Sequence, residues 1–111
     1  MNTKHDDLVK RVEKEFLEND FLVETEVPLP FGKGAVDVFA YNNELKIYIE
    51  VKSSPQSIDS KKVQSQLRKY RKFFGKENVY CLISPDAKNN PKICSLDKRI
   101  NSSLDNYFSK I

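Results

Sequence analysis

The chain reads as an α/β protein, a single domain over residues 1–111 with one mixed four-stranded sheet and a C-terminal helix. Three observations carry that expectation. Apolar residues recur at three- and four-residue spacing in three segments, alternating or continuous apolar runs fill the four stretches between them, and residues 42–44 form one clear hairpin turn. At 111 residues and 39% hydrophobic, with three Gly and five Pro, the chain suits one packed core.

Leu8, Val9, Val12, Phe16 and Leu17 make residues 4–19 an amphipathic helix, with Asp6 or Asp7 available to cap or charge its first turn. "DFLVETEV" is a short strand, ended by Pro28-Leu29-Pro30, and "FGKG" is a loop. "AVDVFAY" and "LKIYIEVKSS" are two strands joined through Asn42, Asn43 and Glu44. After Pro55, "SIDS" offers a cap for a helix from about residue 59 to 74, with Val63, Leu67, Tyr70 and Phe74 on one stripe and Gly75 at its end. "NVYCLIS" is apolar almost throughout, as in a strand buried on both faces, and "PDAKNNPK" is a polar loop. Leu96, Ile100, Leu104, Tyr107 and Phe108 predict the last helix.

Composition excludes several classes. No apolar run approaches the roughly 20 residues of a membrane helix, and "MNTKHDDLVK" has no apolar stretch of a secretion signal, so a cytoplasmic protein is expected. Cys81 and Cys94 read as two buried thiols, because no CxxC or paired His accompanies them. The single His5 cannot anchor a metal cluster alone and reads as a surface residue, with a helper ligand as the alternative. Net charge is +3, but residues 1–50 hold 6 Lys/Arg against 11 Asp/Glu and residues 51–111 hold 13 against 5, an asymmetry that suits a polyanion partner or simply a soluble surface.

Alternation puts Glu50 and Lys52 on the face of Tyr48, opposite Ile47, Ile49 and Val51. Across the hairpin Asp37 alternates with Val36 and Val38 and faces the same side as Glu50, diagonal to it or directly opposite. Two carboxylates that close repel, so a positive group belongs beside them: Lys52, or a divalent cation such as Mg²⁺ or Mn²⁺ held by Asp37, Glu50 and the Val51 carbonyl. An ordinary surface ion-pair trio is the alternative.

Asp37 followed after thirteen positions by Glu50-Val51-Lys52 resembles the PD-(D/E)XK nuclease superfamily, and the order helix, three strands, helix, strand over residues 4–84 is similar to its restriction-endonuclease-like αβββαβ core. Gln66 and Tyr70 resemble the Gln-x-x-x-Tyr motif of the RecB-like branch, and the Holliday-junction-resolvase-like branch is the alternative. Val36 stands where the family name has Pro. The resemblance implies Mg²⁺-dependent hydrolysis of DNA with Asp37, Glu50, Lys52, Gln66 and Tyr70 in the active site, and an acidic metal ligand from the first helix, for which Asp6 or Glu13 is favoured over Asp7.

Lys33, Lys61, Lys62, Arg68, Lys69 and Lys72 are placed to hold phosphates, a contact blind to sequence, and a homodimer is expected because so small a core offers little surface to a duplex. A non-catalytic DNA-binding or assembly subunit is the competing expectation. A small-phosphate binder is weaker, since "GKG" at 32–34 is too short for a phosphate-binding loop.

Overall fold

A computed structural model of the chain describes residues 3–54, 60–85 and 91–95. Helix α1 (Lys4–Glu18) precedes strand β1 (Leu22–Pro28), a short 3-10 turn (Pro30–Gly32), β2 (Ala35–Tyr41), β3 (Lys46–Val51), helix α2 (Lys61–Phe74), β4 (Val79–Pro85) and β5 (Pro91–Ser95). The sheet runs β1-β2-β3-β4-β5 in space, antiparallel except for the β3/β4 pair that α2 connects. A parallel pair needs such a crossover, which is why a helix separates these two strands in sequence.

α1 begins in a capping box. The Thr3 hydroxyl accepts from the Asp6 N–H at 3.1 Å and the Asp6 carboxylate accepts from the Thr3 N–H, so Thr3 is the cap and Asp6 its reciprocal partner. Leu8, Val12 and Phe16 are buried under the sheet, and Phe21 meets Phe16 edge-on at 5.2 Å. Leu17, expected on that stripe, is instead 51% exposed, since it lies about 100° around the helix from Phe16. α2 buries Val63, Leu67 and Tyr70 and stops at Gly75, whose φ of 102° favours glycine.

Two hydrophobic layers result. Below the sheet α1 packs with Val38, Ala40, Ile47, Ile49, Val51, Val79, Cys81 and Ile83. Above it α2 packs with Leu29, Val36, Tyr48, Tyr80 and Leu82. Rings continue the upper layer, Tyr48 stacking on Phe39 at 4.6 Å, on Phe74 at 4.2 Å and on Tyr80 at 5.5 Å. β4 is buried along its whole length, as its apolar run predicts.

Three expectations need correction. Strict alternation sets Val36 and Val38 on one face, yet they belong to opposite layers, and in β1 Val23 and Val27 are divided the same way. The rotation occurs at Glu26, whose φ is 52°, opposite Asp37. The sheet has a fifth strand: Pro91–Ser95 pairs with β4 where the sequence suggests a polar loop leading into a helix. Proline opens that strand at the sheet edge, where its missing N–H costs no ladder bond. Residues 20 and 21 precede β1, the other edge strand, while Pro28 is its last residue and pairs with Ala35. The predicted C-terminal helix and the "SIDS" cap up to Asp59 lie outside the described residues.

Cys81 is buried and in no disulfide. Among the described residues no helix is long and apolar enough to cross a membrane. Because Phe16 fills the α1 layer, Phe16→Ala should lower the unfolding free energy in urea by about 3–5 kcal/mol, while Leu17→Ala should change it by less than about 1 kcal/mol.

Candidate functional site

The hairpin register sets the site. β2 and β3 pair from Tyr41↔Lys46 to Val38↔Ile49, and one step further along the same register sets Asp37 directly opposite Glu50. The backbone ladder does not continue there. The Val51 N–H donates at 2.8 Å to Asp37 Oδ2, so a side chain replaces the carbonyl that a regular strand would offer. On the other edge of β3, the Lys52 N–H donates at 2.9 Å to the Ile83 carbonyl of β4. N–H and C=O of one strand residue point to the same edge, which leaves the Val51 carbonyl on the Asp37 side.

Glu50 is 6% exposed and enters the α2 layer. Its Oε2 accepts a short hydrogen bond from the Tyr70 hydroxyl, and its Oε1 lies 3.1 Å from Lys52 Nζ. Gln66 Nε2 donates at 3.3 Å to the Tyr70 oxygen, completing a relay from the outside of α2 to Glu50. Tyr70 therefore has two roles at once: it is fully buried in the core and hydrogen-bonded to the acid. Burial pushes the Glu50 carboxyl above the usual carboxylate range, the Asp37 charge pushes it further, and Tyr70 and Lys52 oppose the rise. The Tyr70 hydroxyl is pushed well up by burial and by Glu50.

Asp37 reaches toward α1, a correction to the shared face with Glu50 that alternation predicts: the rotation between Val36 and Val38 turns it away. Its Oδ1 lies 3.4 Å from His5 Nε2 on α1, and the His5 Nδ1 lies 3.9 Å from Asp6 Oδ1. The two acids thus interact electrostatically across the end of the β2/β3 pair while their polar partners belong to different layers. Among the described residues, no three His, Cys, Asp or Glu side chains are grouped so as to hold a metal ion.

A cleft of about 350 Å³ beside Asp37 is lined by His5, Asp6, Glu13, Thr25 and Glu26, so both first-helix acids favoured from sequence border it. Asp7 borders a different cleft, with Leu8 and Arg11. Asp6 is held by the capping box, whose hydrogen bonds from Thr3 lower its carboxyl from the ordinary value. His5 is the residue that sequence reasoning undervalues. Its signal is its place on the first turn of a helix whose N-terminus meets the hairpin, which becomes visible only once the layers are assembled.

Above α2 lies a groove of about 700 Å³ lined by Lys33, Lys62, Gln66, Arg68, Lys69 and Lys72. Five of the six expected phosphate-binding residues meet here, and the sixth, Lys61, is exposed at the first position of α2 outside the lining. Lys69 Nζ donates at 2.6 Å to the Lys33 carbonyl, tying the glycine loop to the helix. Gln66 belongs both to the groove and to the relay that ends on Glu50. In comparisons with known proteins, no family model and no curated protein matches the chain.

The raised carboxyl of Glu50 has a definite consequence for stability. The native state holds this proton more tightly than the unfolded chain does, so its contribution is complete below the ordinary value of 4.5 and is lost as pH rises through the folded-state pKa. Glu50→Gln should remove that loss: the stability of the variant relative to wild type, measured by urea titration from pH 4 to pH 8, should rise with pH. A difference that stays constant or falls would exclude the effect.

Proposed function

We propose that this chain is a Mg²⁺- or Mn²⁺-dependent deoxyribonuclease of the PD-(D/E)XK type, its helix, three antiparallel strands, helix and parallel strand serving as a restriction-endonuclease-like core. The observation that carries the reading is Glu50, a buried carboxylate set opposite Asp37 with Lys52 at 3.1 Å. The two acids hold opposite positions of the register and enter different layers, yet the Asp37 charge still acts on Glu50 across the sheet, so positive charge at this end of the pair would relieve both. The pair, with the Val51 carbonyl edge, is an all-oxygen donor set of the kind hard cations take; burial raises the Glu50 carboxyl first and the Asp37 charge adds to it, and that added repulsion is what a cation would relieve.

Asp37, Glu50 and the Val51 carbonyl would hold the ion, with His5, Asp6 and Glu13 bordering the cleft on its α1 side. When bound, the ion supplies a water of lowered pKa and a polarised phosphate oxygen. Lys52 stands beside Glu50 to stabilise the charge that develops on the phosphate. Tyr70 and Gln66 fix the Glu50 carboxylate, and the basic groove holds the flanking phosphates without reading bases. A homodimer would double the grip on a duplex, and a surface that reads no bases leaves specificity to DNA shape, ends or a partner.

A specific observation favours a second reading, a non-catalytic DNA-binding subunit. Lys52 neutralises Glu50, and both Asp37 oxygens already have partners within the protein. Its mark would be DNA binding that is indifferent to Mg²⁺ and to loss of Asp37, Glu50 or Lys52, yet abolished on neutralising Lys61, Arg68 and Lys72.

Plasmid and junction cleavage with Mg²⁺ or Mn²⁺ decides between them. Wild type should cleave, and Asp37→Ala, Glu50→Ala and Lys52→Ala should each slow cleavage by at least about 100-fold. Absence of cleavage by wild type, or equal rates in the three variants and wild type, refutes the nuclease. Independently, Arg68→Ala or Lys72→Ala should weaken binding to every duplex alike and reduce the slope of log affinity against log salt by about 0.9 for each phosphate no longer neutralised.

A further inference from the structure

Phe31 is 90% exposed, the most exposed large apolar side chain among the described residues. An exposed apolar residue is ordinary in itself; its backbone is not. Phe31 has φ 60° and ψ 27°, a left-handed conformation that an aromatic residue adopts only at a cost in strain, and it stands between Pro30 and Gly32, which is also left-handed at φ 67°. A glycine would satisfy this turn with less strain.

The loop that carries the ring is fixed at three points. Leu29, 5% exposed, anchors its start in the α2 layer. The Leu29 N–H donates at 2.8 Å to the Gly34 carbonyl, closing the loop. Lys69 Nζ donates to the Lys33 carbonyl, binding the loop to α2. The ring is therefore presented by a constrained support, two residues before Lys33, which lines the basic groove, and six residues before Asp37; Phe31 itself is not among the residues that line the groove. Cation-lined grooves track a phosphate backbone, and an exposed aromatic ring on the loop that supplies Lys33 to such a groove can stack on a base that the backbone carries.

We propose that Phe31 is a wedge that stacks on an unpaired or terminal base of DNA held in the groove, and thereby makes DNA ends and forks the preferred substrate over continuous duplex. The proposal rests on the nuclease reading and names its substrate class. Continuous duplex offers no free base face, and opening one costs unstacking energy; a fork or frayed end has already lost that stacking. Positive charge along the groove selects a polyanion as the occupant.

The test is equilibrium binding by fluorescence anisotropy in EDTA, with blunt and forked duplexes of one sequence. Phe31→Ala should weaken fork binding by about 5- to 150-fold, the range of one base stack removed, and leave blunt-duplex affinity within about twofold. The chain has no tryptophan, so in Phe31→Trp the indole emission reports on this position alone, and it should be quenched at saturating fork. Phe31→Gly should lose the same fork affinity while its melting temperature is equal to or above that of wild type, which separates the contact from the fold.

Wild-type affinity of Phe31→Ala for the fork, or unchanged indole emission of Phe31→Trp at saturation, overturns the wedge. Because binding is measured without metal, a protein that cleaves nothing but shows these effects loses the nuclease reading and keeps the wedge. If wild type binds neither DNA, groove and wedge fall together.

Discussion

Where β2 and β3 part, a carboxylate takes the place of a backbone carbonyl. Asp37 Oδ2 accepts from the Val51 N–H that a continued ladder would have paired with β2, and much of the site follows from that substitution. An unpaired buried N–H costs as much as a missing hydrogen bond, so the acid is held to β3 by the need to satisfy it. Glu50, the neighbouring residue, then sits opposite Asp37 in the register but enters the α2 layer, where Tyr70 from α2 and the nearby Lys52 steady it. Removing Asp37 would open both the ladder and the electrostatic arrangement.

Burial makes this arrangement directional. The Glu50 carboxylate lies in the α2 core, where loss of water favours its neutral form, and the hydrogen bond from Tyr70 with the nearby Lys52 favours its charged form. Tyr70 belongs to the hydrophobic stripe of α2 and also holds the acid directly, so the packing of α2 and the orientation of Glu50 are one problem. Gln66 carries the connection a further turn outward to the groove of lysines and arginine.

Much of this is readable from spacing. The stripe of Val63, Leu67 and Tyr70 follows from helical periodicity, and the facing of Glu50, Lys52 and Tyr48 follows from strict alternation along β3. The convergence of Lys33 with α2 is legible only as charge; the groove itself depends on the bond from Lys69 to a backbone carbonyl, which no pattern encodes. Alternation fails at Asp37 because Glu26 takes a left-handed backbone, a choice its side chain does not announce. β5 escapes detection because five residues opened by proline carry too little periodicity to distinguish an edge strand from a loop. His5 is undervalued since its partner Asp37 comes from a strand over thirty positions away.

The rotation at Glu26 and Asp37 reaches beyond the site. Val23 and Val38 belong to the layer under α1, whereas Val27 and Val36, a few positions along the same two strands, belong to the layer under α2. These strands pass from one apolar layer into the other, so neither layer can melt without dragging on a strand that the other still holds. A sheet whose faces were kept separate would permit one helix to peel away alone. Here β1 and β2 act as a common thread, and opening of the whole domain as one cooperative unit follows from that stitching.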